Sequence, residues 1–267
     1  MAMAQAEYPI GSHSEPSSAA RQGVAGLRTL GGGKRENVRG VKVNLGCGPG
    51  PQPANWVHVD GSWNARLSKF DLVRRTLSAL GIVSRENASL AWTPDLVTAN
   101  LRGPLPFSSG TVDCVYASHV LEHLHDDEAR RLLRECFRVL KPGGVLRLVV
   151  PDLRGIVERY VASASRPARA DSSPLPADRL NEDLHLRPRS VARGNVLFRL
   201  YSTMTEFHTH KWMYDAESLT ERVRSAGFVA VEERGFLDSG IPGIQEIERA
   251  HRVIGGEGIC VEGVKPG

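Results

Sequence analysis

Across its 267 residues the sequence has no apolar run long enough to cross a bilayer, which takes about 20 residues. It also lacks, at its N-terminus, the charged-then-apolar pattern of a secretory signal, so the expected compartment is the cytoplasm. Cysteine is scarce: Cys47, Cys114, Cys136 and Cys260 lie far apart with no CxxC spacing. That argues against a zinc ribbon or a disulfide scaffold, and apolar neighbours make reduced core cysteines of them. There is no internal repeat, hence no solenoid. Net charge is only +4, and it is local: residues 154–199 hold nine Arg against five acidic residues, with the rest nearly balanced. Such a distribution leaves no general nucleic-acid surface.

What is present is an ordinary globular composition, 41% hydrophobic, long enough for one sizeable core with an added cap. Residues 1–38 are rich in Ala, Ser, Gly and Gln without sustained periodicity, and are expected to be disordered or loosely attached. From Val41 onward strands and helices alternate. "VKVNL" and "WVHVD" read as strands. "ARLSKFDLVRRTLSALG" places Leu67, Phe70, Leu77 and Leu80 at helical spacing. "DLVTANL" and "TVDCVYAS" read as the next strands. Asp126 or Asp127 is the expected cap of the helix "EARRLLRECFRVL", which "KPGG" ends before the apolar strand "VLRLVVP".

After Pro151 come a short helix, "LRGIVERYVAS", a loop-rich Pro/Arg insertion over 165–190 and a candidate helix, "NVLFRLYS". A helix capped by Asp215, with Leu219, Val223 and Ala226 inward, and two closing strands follow. The alternation predicts an α/β, Rossmann-like, doubly wound and mostly parallel seven-stranded sheet. The expected domain runs over 39–267, with an acceptor-side insertion at 153–205.

The chemistry-bearing stretch is "NLGCGPGPQPANWVHVD". Glycines at the end of a first strand let a ligand approach the backbone, and an acid ending the second strand, Asp60, is placed for a ribose diol. A dinucleotide site fits badly. The third small residue of G-x-G-x-x-G is replaced by Pro51, and Pro53 follows. Little helix is left to present its N-terminus to a pyrophosphate. A cofactor with a ribose and no phosphate fits better.

Four segments in order, "VNLGCGPG", "VHVD", "ANLRGPLPFSSGTVDCVYASHVLEHL" and "RECFRVLKPGGVLRLVVPD", resemble the class I S-adenosylmethionine (SAM)-dependent methyltransferases, specifically the type-11 group. The likeness extends through "HKWMYDAESLTERVRSAGF" to a compact branch associated with polysaccharide or natural-product pathways. The resemblance implies SAM as cofactor. Gly46, Cys47 and Gly48 would line its methionine end, Asp60 and Gly61 its ribose, and Asn100 and Leu101 its adenine, with Ser118 and His119 flanking the methyl donor. Asn100 stands where relatives usually carry Asp, and its carbonyl can accept the same hydrogen bond. Asn44 stands where many carry an acid.

The resemblance makes His123, in "HVLEHL", a candidate general base, because related small-molecule enzymes take a histidine from this region. Glu122 reads as a solvated or capping carboxylate. "EFHTHKWMYD" adds His208 and His210, read as base, substrate contact or packed histidines. No carboxylate stands near that pair at ligand spacing, so no metal is expected. The Arg-rich insertion reads as a solvated cap or as a reader of an anionic acceptor.

Expected partners are a small-molecule or glycan acceptor and a second copy in a homodimer, with no nucleic acid and no membrane span. The function implied first is O-methylation of a sugar hydroxyl or secondary metabolite. The alternatives are N- or C-methylation of a small molecule and a SAM-binding subunit without turnover.

Overall fold

A computed structural model describes residues 40–165, 175–186, 209–253 and 258–267. The expected segment 1–38, the helix "NVLFRLYS", His208 and most of the Arg-rich insertion lie outside the described residues. No helix among the described residues is long and apolar enough to cross a membrane.

Seven strands form one sheet. They are β1 (Lys42–Leu45), β2 (Val57–Asp60), β3 (Val97–Thr98), β4 (Val112–Ser118), β5 (Leu140–Pro151), β6 (Val229–Arg234) and β7 (Gly258–Val264), in the order β3-β2-β1-β4-β5-β7-β6. The first five pair in parallel. β7 pairs antiparallel with β5 and β6, so β6 runs with the others. The expected doubly wound sheet is therefore present. From β1 the chain builds outward to β2 and β3 on one side and to β4 and β5 on the other. The order reverses between β1 and β4, and ligands of such sheets bind beyond the strand ends at that reversal.

The helices are α1 (Trp63–Leu67), α2 (Asp71–Ala79), α3 (Arg85–Ser89), α4 (Asp126–Val139), α5 (Leu153–Ala164), α6 (Pro176–Asp183) and α7 (Ala216–Ser225). α4 buries Ala129, Leu132, Leu133, Cys136 and Val139, the stripe its 3.6-residue period places on one face. α7 buries Leu219 and Val223 behind its Asp215 cap, whose carboxylate accepts from Ser218 N at 2.8 Å.

Several local expectations are corrected. The N-cap of α4 is His125, one residue earlier than expected. Its N–H donates to Glu128 at 3.0 Å, and Asp126 and Asp127 fill the first turn, where their charge suits the helix dipole. "KPGG" joins β5 instead of lying outside it. Gly143 turns at φ +77° and donates to Lys265 O at 2.8 Å, so the extended ladder starts directly after α4. The single helix expected over "ARLSKFDLVRRTLSALG" is split at 68–70, and none of Leu67, Phe70, Leu77 or Leu80 is buried. The insertion contains α6, started by Pro176 in its first turn.

The strand "VLRLVV" contains one charge, Arg147, which is fully buried. Its guanidinium pairs with Glu248 through two contacts, at 2.8 and 2.9 Å. It also donates to the carbonyls of Asp238 and Gly235, at 2.7 and 2.8 Å. Such forked pairing keeps a buried cation satisfied and ties the β6–β7 connection to the sheet. All four cysteines are buried and unpaired, and burial pushes each thiol up to about 12. They are core residues, as the sequence predicts.

Asn44 acquires a structural role. Parallel register sets it beside His58, whose Nδ1 lies 3.3 Å from the Asn44 amide nitrogen while Nε2 lies 2.8 Å from Pro53 O. The carbonyl fixes the proton on Nε2, leaving Nδ1 to accept. Burial holds the His58 pKa below its ordinary value. A depressed histidine pKa stabilises the fold above the unfolded pKa of about 6.5, and that contribution is lost as pH falls through the folded value. Thermal melts from pH 7.5 to 5 should show the wild type losing stability more steeply than His58→Gln. Parallel slopes would show that folding leaves the His58 pKa unshifted.

Candidate active site

The C-terminal ends of β1, β2 and β4 and the loop after β3 enclose an open cleft of about 640 Å³, counting the solvent in its mouth. The glycine turn forms one wall. Gly46 has φ +64°, and a Cβ there would sit 2.4 Å from Val120 Cγ2, so only glycine fits. Gly46 N donates to Val59 O at 2.7 Å, which docks the turn on β2.

Asp60, 7% exposed, locks this geometry. One carboxylate oxygen accepts from Gly48 N at 3.1 Å and the other from Ser62 N at 2.8 Å. Lone pairs remain on both oxygens, and the residue lines the cleft with Gly61 and Ser62. Gly61 approaches so closely that a Cβ there would meet Ala99 O at 2.3 Å. No helix follows the glycine turn before β2; α1 starts only at Trp63. The turn is therefore held by an acid, not by a helix N-terminus. A nucleoside without a pyrophosphate fits it, and SAM is such a molecule.

Among the described residues, Gly46 lines the cleft, whereas Cys47 and Gly48 do not. The Cys47 side chain packs with Ala65 and Leu96 behind the turn. Asn100, Leu101 and Arg102 form the opposite wall. The Asn100 carbonyl oxygen accepts from Arg102 N at 3.1 Å. Ser118 is a correction. It is 4% exposed and does not line the cleft; its hydroxyl lies 3.4 Å from Arg252. Alternation along β4 puts it on the face of Cys114 and Tyr116.

His119 lines the cleft. It has φ +56°, an uncommon left-handed conformation for a residue with a side chain, and its N–H donates to Val149 O at 2.9 Å. Nδ1 lies 3.0 Å from Glu122 Oε1. The distance is that of a hydrogen bond but the angle is not, so neither Glu122 oxygen has a hydrogen-bond donor. A small rotation of either side chain aligns the pair. The carboxylate favours the tautomer protonated on Nδ1, which leaves the buried and unpartnered Nε2 as a proton acceptor.

Glu122 itself is fully buried, which corrects the solvated or capping reading. The turn Leu121–His123 sits under the segment 209–212, because the Glu122 carbonyl accepts from Lys211 N at 2.7 Å.

His123 lines the cleft, and its Nδ1 lies 3.3 Å from Thr209 O. Its ring is 5.1 Å from that of His210, which is 4.7 Å from that of His185. Burial, offset by Glu122 and reinforced by His123, His185 and His119, pulls the His210 pKa down to about 4. His210 is therefore neutral at pH 7. It stands behind His123 and outside the cleft lining.

The structure thus brings Gly46, Asp60, Gly61, Asn100, Leu101, His119 and His123 to one cleft. Glu122 is the residue the sequence reading misplaced, at the surface or in a cap instead of in the core. The spacing His119-x-x-Glu122 would have signalled it, since residues three apart meet on a tight turn.

A family model described as a methyltransferase domain matches residues 43–148. A trans-aconitate 2-methyltransferase from Azoarcus sp. is 32% identical over 198 residues, covering 69% of this chain and 67% of that protein. A ubiquinone/menaquinone biosynthesis C-methyltransferase from Klebsiella pneumoniae is 27% identical over 193 residues; the match covers 71% of this chain and 66% of that protein, just under two thirds of its length. A solved SAM-dependent methyltransferase from Thermotoga maritima is 16% identical, with a TM-score of 0.44, over 93% of this chain and 88% of that one. The glycine turn, its acidic anchor and these sequence matches lead to one conclusion: the chain belongs to the class I SAM-dependent methyltransferases, in the type-11 group.

Proposed function

We propose that this chain methylates a hydroxyl oxygen of a sugar or a related secondary metabolite, with His119 as the general base. The supporting observation is His119 in the cleft wall, with its Nδ1 3.0 Å from an oxygen of the buried Glu122. When bound, SAM supplies a methyl carbon activated by its sulfonium. Asp60 would hold the ribose, the Gly46 turn the methionine portion, and the Asn100–Leu101 wall the adenine. An alcohol is a poor nucleophile until its proton leaves, so it gains most from a placed base. His119 Nε2 takes that proton, and the Glu122 carboxylate stabilises the imidazolium that results. Alignment of acceptor and methyl carbon supplies much of the remaining acceleration.

A second reading, C-methylation, is favoured by the Klebsiella relative, which is named a C-methyltransferase. An acidic C–H also needs a base, so the same dyad would serve.

Incubating the chain with trideuteromethyl-SAM and fractionated small molecules and glycans separates these readings. Mass spectrometry of the labelled product should place the label on oxygen. Label on carbon or nitrogen would overturn the hydroxyl assignment. SAM binding with no transfer to any fraction would leave a binding subunit without turnover.

A further inference from the structure

We propose that Glu122, His123 and His210 bind one divalent transition-metal ion at the inner end of the cleft. One ligand atom from each of the three lies within 4.8 Å of the other two. Glu122 is fully buried, and neither carboxylate oxygen has a hydrogen-bond donor. A buried carboxylate without donors is costly unless an opposite charge meets it. The side chains near it include three imidazoles: His119 at 3.0 Å, and His123 and His210 within the same cluster. The imidazoles supply lone pairs for a metal, and a divalent cation held by them and by Glu122 supplies that opposite charge.

The surroundings also suit a metal. Histidine ligands usually donate their second ring N–H to a carbonyl or carboxylate, which fixes the ring. His123 Nδ1 lies 3.3 Å from Thr209 O. His210 Nδ1 is buried with no partner. The two segments that carry the ligands are joined by the Glu122 carbonyl, which accepts from Lys211 N at 2.7 Å and Trp212 N at 3.3 Å. Two imidazoles and one carboxylate suit zinc, cobalt, manganese or iron, whereas calcium and magnesium prefer oxygen sets. Around a tetrahedral ion with bonds of about 2.0–2.1 Å, ligand atoms stand about 3.3 Å apart. The three ligand atoms, all within 4.8 Å of one another, would settle to that spacing when the ion enters.

His123 is at once a ligand and part of the cleft wall, so an open coordination position there faces the acceptor. Coordination would lower the pKa of an acceptor hydroxyl, and His119 would take its proton. This role rests on the methyl-transfer reading; the binding site itself does not.

The test is titration of the full chain, stripped with EDTA, in the absence of SAM and acceptor. Cobalt(II) is followed by its visible absorption, and zinc(II) by calorimetry and by displacement of cobalt. One equivalent should bind, with the intense visible bands of a four- or five-coordinate site. Glu122→Gln and the double variant His123→Ala/His210→Ala should each weaken zinc binding by at least about a hundredfold, while His251→Ala, at an exposed site, should not. Circular dichroism establishes that each variant is folded; if Glu122→Gln does not fold, Glu122→Asp, with a shorter reach, takes its place. Absence of saturable uptake, or equal uptake by wild type and both ligand variants, overturns the proposal. SAM titration is run on the same stripped protein, so loss of the metal site and loss of the cofactor site are read separately.

Discussion

His119→Asn should lower kcat by roughly 10²–10⁴-fold, the range a positioned acid–base group supplies. Asparagine suits this site because it tolerates the left-handed backbone that His119 adopts at φ +56°. The variant therefore keeps the turn after β4 and removes the imidazole. SAM affinity should change little beside that loss, because the backbone at 119 and the Gly46 wall persist. Near-wild-type kcat in His119→Asn, with the loss confined to His123→Asn, would return the base to His123, the residue the sequence alone puts first.

That difference between His119 and His123 shows where a sequence stops being readable. The motif "HVLEHL" places three titratable groups in five residues, but period and spacing do not say which of them a tight turn sends inward. The turn Leu121–His123 buries Glu122 completely and stands His119 beside it. The carboxylate missing from the reading of "HTHKW" is also Glu122. It is distant in the chain, and only the parallel sheet brings segment 209–212 over the end of β4.

The sheet was legible for the opposite reason. Continuous apolar strands and amphipathic helices repeat one local pattern, and chain connectivity leaves few ways to assemble them. The split helix between α1 and α2 marks the limit of that logic. Leu67, Phe70, Leu77 and Leu80 have helical spacing, but α2 buries none of its residues, so no core contact enforced the continuous helix that the period suggested. Asn44 likewise looked like a departure at the cofactor. It instead completes a buried cross-strand pair with His58.

The cofactor site is the centre of this account, and Asp60 is its anchor. Its carboxylate accepts two backbone N–H groups, from Gly48 and Ser62, at 3.1 and 2.8 Å. It has lone pairs left for a ribose diol. Hydrogen bonds to a charged acceptor are worth about 1.5–3 kcal/mol. Asp60→Ala should therefore weaken SAM binding roughly tenfold to a hundredfold, with the loosened glycine turn acting in the same direction. Circular dichroism separates this loss from unfolding. Calorimetric titration of SAM, and separately of NAD, into the wild type and folded Asp60→Ala is the most direct measurement. The account predicts one saturable SAM site in the wild type, a weaker one in the variant and no tight NAD binding; equal SAM affinity in both proteins, or tight NAD binding, would contradict it.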